Sequence, residues 1–193
     1  PPLEEVIRMV RLSRAIPMAA WLDGTSAGES NPTQQLECLR EKGVEAVNII
    51  PDRNWNIDDT EKRARKVTEL NRYVDAAKAL DLPINVGTEC NKPGQRFVDD
   101  FEASPMKPHW PTFLEGAQIM VGHSRLLRYA DIGYIDEATT SEFPKRAERN
   151  RFFAEVGALP VPPLRLRDAL ASMDAEQAYT RIYDSVRNGE WII

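Results

Sequence analysis

Histidine and cysteine are scarce in this 193-residue chain, with two of each. Cys38 and Cys90 stand far apart and match no C-x-x-C or other metal-ligand spacing. They are expected to be reduced thiols of a cytoplasmic protein. With only His109 and His123, a histidine-rich metal site cannot be built from this chain alone. Basic charge is not in excess: 25 Lys+Arg face 30 Asp+Glu, a net charge of −5, which argues against a nucleic-acid-binding surface. Long apolar runs are missing, so no membrane span is expected. No charged n-region followed by an apolar stretch marks a signal peptide. An initial Met is also lacking; the chain begins Pro1-Pro2-Leu3, as a processed chain or a piece of a longer protein would.

What is there suits one medium domain, with 42% hydrophobic residues to fill a core. Residues 3–15 place Leu3, Val6, Ile7 and Val10 on one helical face. "IPMAAWLDG" is a short apolar run closed by Asp23-Gly24. In "SNPTQQLECLREKG", Asn31 is the expected N-cap, Pro32 the first helical residue and Gly43 the stop. "VEAVNIIPD" is a second strand ended by Pro51, and residues 58–81 form the longest helix, acidic at its start. "LPINVGTE" is the third strand. This alternation predicts parallel strands joined by helical crossovers.

Beyond Glu89 the rhythm changes. Pro93, Gly94, Pro105, Pro108 and Pro111 mark residues 91–111 as a long loop, with His109 exposed in it. Residues 111–134 follow as a helix, with a strand at 117–123 as the rival because Gly116 and Gly122 weaken a helix. A single helix is expected over "TSEFPKRAERNRFFAEVG", capped by Thr140 or Ser141 and stopped at Gly157. "LPVPPLRLRD" is a connection, and an amphipathic helix closes the chain. The fold class is therefore α/β: parallel strands with flanking helices, partly (β/α)-barrel-like, over residues 1–135. A helical C-terminal extension, 136–193, packs on it.

Strand parity shows where the polar residues point. Trp21 and Asp23 share one face of the first strand. Asn48 shares a face with Asp52 in the second, and Asn85 shares one with Gly87 and Glu89 in the third. Each asparagine lies four positions, roughly 13 Å, below its carboxylate. A buried parallel strand is normally continuous Val, Ile and Leu, so two mid-strand asparagines call for a polar cleft or lumen. Asp23, Asp52 and Glu89 all sit where strands end, the edge at which parallel α/β folds bind ligands. Each has a plainer alternative as a turn-former or helix cap. Trp55 and Trp110 suit either a pocket wall or packing under a loop. "GTSAGES" (24–30) has the small residues of a phosphate cradle without the Walker pattern or its lysine. Ser26 and Ser124 lack a nucleophile motif.

"INVGTE" (84–89) resembles the strand-end Gly-x-Glu element of the polymerase-and-histidinol-phosphatase superfamily. It is similar, too, to strand ends of amidohydrolase-like (β/α) barrels. The resemblance implies that Glu89 helps to ligate a divalent metal, with Asp23 and Asp52 as further candidates. It also implies that the histidines such families carry, opening with His-x-His, belong to an N-terminal half outside this chain.

The expected function is accordingly the C-terminal part of a metal-dependent hydrolase of phosphoesterase or amidohydrolase type, inactive as a fragment. Its catalytic carboxylates are Asp23, Asp52 and Glu89. Arg53, Asn54, Asn91, Lys92 and His123 bind a small-molecule substrate. The alternatives are a non-catalytic carbohydrate- or small-ligand-binding domain and a protein-interaction scaffold.

Overall fold

Three short parallel strands organise the first part of the chain in a computed structural model that describes residues 1–91, 93 and 96–192. Helix α1 (Leu3–Leu12) leads into β1 (Met18–Trp21), α2 (Pro32–Glu41) and β2 (Ala46–Ile49). A one-turn helix α3 (Asp52–Trp55), the long α4 (Thr60–Ala79) and β3 (Ile84–Val86) follow. The strands form one open parallel sheet in the order β1-β2-β3. Trp21 stands opposite Ile49, and Ile49 opposite Val86. The α/β expectation and the parallel pairing hold; among the described residues the sheet is three-stranded and does not close into a barrel.

Local chemistry accounts for the element ends. Asn31 accepts a hydrogen bond from the Gln34 N–H, with Pro32 at the first helical position of α2. Asp59 caps α4 in the same way through the Lys62 N–H. Gly43, just past α2, takes φ +101°, a conformation that favours glycine. Three other helices end differently: Arg14, Asp81 and Asp131 adopt φ of 55°, 52° and 56° just beyond α1, α4 and α5 (Trp110–Ala130). Helix α1 covers every residue of its apolar stripe and ends at Leu12, three residues short of the expected 15, with the left-handed turn at Arg14 just beyond it.

One face of the sheet is packed. Trp21, Val47, Ile49 and Ile84 join Leu36 of α2 and Leu70, Tyr73, Val74 and Ala77 of α4 in a buried core. Trp21 stacks on Tyr73 with ring centroids 4.5 Å apart. The opposite face carries Ala20, Asn48, Asn85 and Gly87, which are half-buried or exposed. Residues 96–106 contain no helix or strand, yet Met106 is fully buried in the same core and Phe101 and Ala103 pack against it. His109 is half-buried rather than exposed. It lies in a 3₁₀ turn (Lys107–His109), and its Nε2 pairs with Asn71 Oδ1 at 2.7 Å. The turn expected at Gly94 lies outside the described residues.

The chain divides into two units, Pro1–Glu115 and Gly116–Ile193. That boundary falls inside α5, whereas the sequence pattern places the change to purely helical structure at 135/136. Residues 117–123 belong to this helix and not to a strand.

In the second unit, the helix expected over 140–157 is two helices, α6 (Glu137–Glu142) and α7 (Arg146–Ala158). Pro144 lacks an N–H and disfavours helical geometry at Phe143, so the segment breaks there. Neither Thr140 nor Ser141 is a cap; both lie within α6, whose N-cap is Asp136. Gly157 is inside α7 and does not stop it. The proline-rich stretch yields at Leu164 to α8 (Leu164–Ser172). Helix α9 (Ala175–Asn188) has the expected amphipathic character, a capping box between Asp174 and Gln177, and a left-handed Gly189 at its exit. Tyr134, Phe153, Leu126, Leu170 and Ile182 are buried in this unit. No helix among the described residues is long and apolar enough to cross a membrane.

Candidate functional site

The register fixes the strand ends. Since Trp21, Ile49 and Val86 are level, Asp23, Asp52 and Glu89 follow two or three residues later along one edge of the sheet. The three carboxylates do different things there.

Asp23 faces the helices, as its parity with Trp21 requires. Its Oδ2 accepts from Lys66 Nζ at 2.6 Å, and its Oδ1 accepts from the Thr25 N–H at 3.1 Å and from Thr25 Oγ1 at 2.5 Å. Burial opposes its ionisation, but the bonds from Lys66 and Thr25 and the lysine charge prevail, holding the carboxyl at about 2. Asp23 therefore turns away from the face that carries the asparagines.

Beside it stands an acid that sequence reasoning missed. Glu29, 8% exposed, accepts from the backbone N–H groups of Leu22 at 2.9 Å, Asp23 at 3.4 Å and Gly24 at 3.1 Å. The loop's own carboxylate thus takes up the backbone amides at the exit of β1, including that of Gly24, the first residue of "GTSAGES". Gly24 is in a left-handed conformation, and a Cβ there would lie 2.6 Å from Glu69 Cβ.

Asp52 opens α3, and its Oδ1 accepts from Asn56 Nδ2 at 2.9 Å. Near it is a second unforeseen acid, Asp99. Burial pushes the Asp99 carboxyl above the usual range, against hydrogen bonds from Trp55 Nε1 and the Asp100 N–H; the Asp52 charge pushes the same way as burial. Trp55 thus ties the loop to the strand exit. Trp110 is 42% exposed and tilts against Phe101. Asn54 is fully buried, with neither side-chain polar atom hydrogen-bonded to a described residue; it presents no surface to a ligand.

Glu89 and Arg53 come together. Arg53 donates to Glu89 Oε1 at 2.6 Å, with 35% and 27% of the two side chains exposed. Beneath this pair, Asn85 Nδ2 donates to Asn48 Oδ1 at 2.6 Å across the β2–β3 ladder. A Cβ at Gly87 would come within 3.1 Å of the Asn48 amide, so glycine leaves the room that this amide occupies. Asn91 is exposed, and its backbone N–H bonds to the Glu89 carbonyl. Lys92 lies outside the described residues.

His123 belongs to the second unit. Its Nδ1 accepts the Tyr134 N–H at 3.1 Å, which places the ring proton on Nε2 in the neutral form. The strand-end edge therefore unites Arg53, Glu89, Asn48 and Asn85, and His123 is held by its own unit.

No three His, Cys, Asp or Glu side chains cluster as metal ligands among the described residues. Of the carboxylates that the resemblance offers to a metal, Glu89 is already paired with Arg53, Asp23 with Lys66, and Asp52 accepts from Asn56. The described residues by themselves do not fit a divalent ion.

Fold and edge together define a parallel α/β unit with a polar strand-end surface. Comparison with known proteins finds no matching family model, no matching curated sequence and no matching solved structure.

Proposed function

We propose that this chain forms one wall of a small-molecule site of the (β/α)-barrel hydrolase kind, taking a small polar, anionic substrate of phosphoester or amide type. One observation carries this reading. The sheet has an apolar face packed on helices and an opposite face where the Asn48–Asn85 pair lies beneath the Arg53–Glu89 pair. Helix-covered parallel sheets have no use for paired amides at mid-strand; a ligand-facing wall does. An anionic substrate group competes with Glu89 for Arg53, whose planar fork suits phosphate or carboxylate. The released carboxylate is then free to take a proton from a water that attacks the phosphorus or carbonyl carbon; the ester or amide bond breaks, and the proton passes from Glu89 to the departing oxygen or nitrogen. Asn48 and Asn85 supply a donor and an acceptor that orient the substrate. No step is routed through a metal, because Glu89 alone does not hold one.

The test is a panel of aryl phosphates and N-acyl amides assayed with and without added Mn²⁺ or Zn²⁺. Glu89→Gln is expected to lower turnover by about 10²-fold or more, and Arg53→Met to raise KM. Turnover and binding that are unchanged in Glu89→Gln, Asn48→Ala and Asn85→Ala would remove the reading.

The Arg53–Glu89 ion pair also favours a second one, non-catalytic binding of a neutral polyol. Alternating charged and amide groups match vicinal hydroxyls. Saturable binding of a neutral sugar, lost in Asn85→Ala and accompanied by no turnover of any ester or amide, decides for it.

A further inference from the structure

In the second unit, three arginines line one groove, and no carboxylate among the described residues answers them. The groove, about 370 Å³, is formed by α5 and the segment leading into α8; Arg125, Arg128, Arg167, Val121 and Val161 are among its lining residues, and none of the lining residues is acidic. Arg125 is its floor. That guanidinium donates to the carbonyls of Val156 at 2.8 Å in the last turn of α7 and of Leu159 at 2.7 Å and Pro160 at 3.2 Å just beyond it, and it lies over the Trp191 ring. Arg167 donates from Nε to the Pro162 carbonyl at 2.8 Å, and Arg128 rests over the Tyr129 ring. Among the described residues, none of the three forms an ion pair with a carboxylate, although the chain carries 30 acids and a net charge of −5. The groove wall is apolar and open to solvent: Val121 is 42% exposed and Val161 72%.

From these features we infer a second ligand site, one for a small organic anion that carries an apolar body. The exposed forks of Arg128 and Arg167 present paired N–H donors in the geometry that phosphate and carboxylate oxygens accept. Arg125 adds positive charge from the floor while its own hydrogen bonds keep the floor in place. An aryl or short alkyl group on the ligand covers Val121 and Val161. The volume suits a ligand of that size. A bare inorganic anion leaves the valines wet, and a neutral hydrophobe leaves the arginines unanswered. The site is independent of the strand-end edge, since all its residues lie in the second unit.

Calorimetry on the whole chain, with phenyl phosphate as probe and inorganic phosphate beside it, tests this. Phenyl phosphate is expected to bind saturably and more tightly than inorganic phosphate. Arg128→Gln and Arg167→Gln should each weaken it about tenfold, the loss of one charge-assisted contact. Val161→Asn should weaken phenyl phosphate and leave inorganic phosphate unchanged. All three variants alter exposed side chains, so the fold is retained. Arg165→Gln, on α8 outside the groove, should change nothing. The inference fails if phenyl phosphate does not saturate at millimolar concentration, or if inorganic phosphate binds equally well. It fails also if Arg165→Gln weakens binding as much as the groove variants do.

Discussion

Asp23 and Lys66 meet at 2.6 Å with 13% and 12% of their side chains exposed. At that depth removing one partner strands the other. Asp23→Ala is therefore expected to cost about 3 kcal/mol in urea unfolding, because the Lys66 ammonium loses its counter-charge in a largely dry setting. The pH dependence has a definite sign. The folded-state carboxyl, at about 2, lies below the ordinary 3.8, so its contribution to stability is complete above about pH 4 and disappears as pH falls through about 2. In Asp23→Asn, acid titration of stability should lack that component. The positions of Asp23, Asp52 and Glu89 were legible in the sequence, because strand parity and turn chemistry are local. Their partners were not: Lys66 is 43 residues from Asp23, and Arg53 is 36 residues from Glu89. Glu29 left one faint signal, an acid five residues beyond Gly24 in a loop with three amides to satisfy. Periodicity does not register such a signal.

Among the helices, α5 and α7 cross with their backbones in contact at two glycines. A Cβ at Gly122 would lie 1.9 Å from the Phe153 carbonyl oxygen, and one at Gly157 would lie 1.8 Å from that of Gln118. The sequence pattern treats these glycines as a helix weakener and a helix stop. Each is instead the condition for the approach, and the helices form around them because tertiary packing overrides propensity. Gly122→Ala and Gly157→Ala should each destabilise by roughly 3 kcal/mol or more, since main chain and not a flexible side chain must move. Thermal unfolding followed by circular dichroism measures it. Gly28→Ala is the control: nothing lies within 4 Å of a Cβ there. The split at Pro144 was within reach of the sequence, because proline's missing N–H is a local fact; the helical pattern on both sides masked it.

Across the whole molecule, acids outnumber bases, and the isoelectric point is about 5.2. Turbidity against pH is expected to peak near that value, where self-repulsion vanishes, and to fall as pH rises. The loss of the Asp23–Lys66 pair begins at lower pH, so aggregation and acid unfolding should appear as two separate events. The alternation of strands and helices, and with it the parallel sheet, could be read from periodicity. The openness of the sheet could not, since three strands with one polar face fit an open sheet and a barrel segment equally well. The arginine groove was beyond sequence reading too, because Arg125 and Arg128 are separated from Arg167 by two helices that only folding brings round.

The left-handed exits of three helices bear on how much change this protein tolerates. Where α2 and α9 leave through Gly43 and Gly189, α1, α4 and α5 leave through Arg14, Asp81 and Asp131. The closing bonds are made all the same, as from the Leu82 N–H to the Ala77 carbonyl at 2.9 Å, but an L-residue in this conformation costs about 1 kcal/mol. Exposed Asp81 is the clearest case: Asp81→Gly should raise the melting temperature by a few degrees. The fold thus holds thermal headroom at its joints, within reach of a single substitution, that later and more disruptive mutations could draw on.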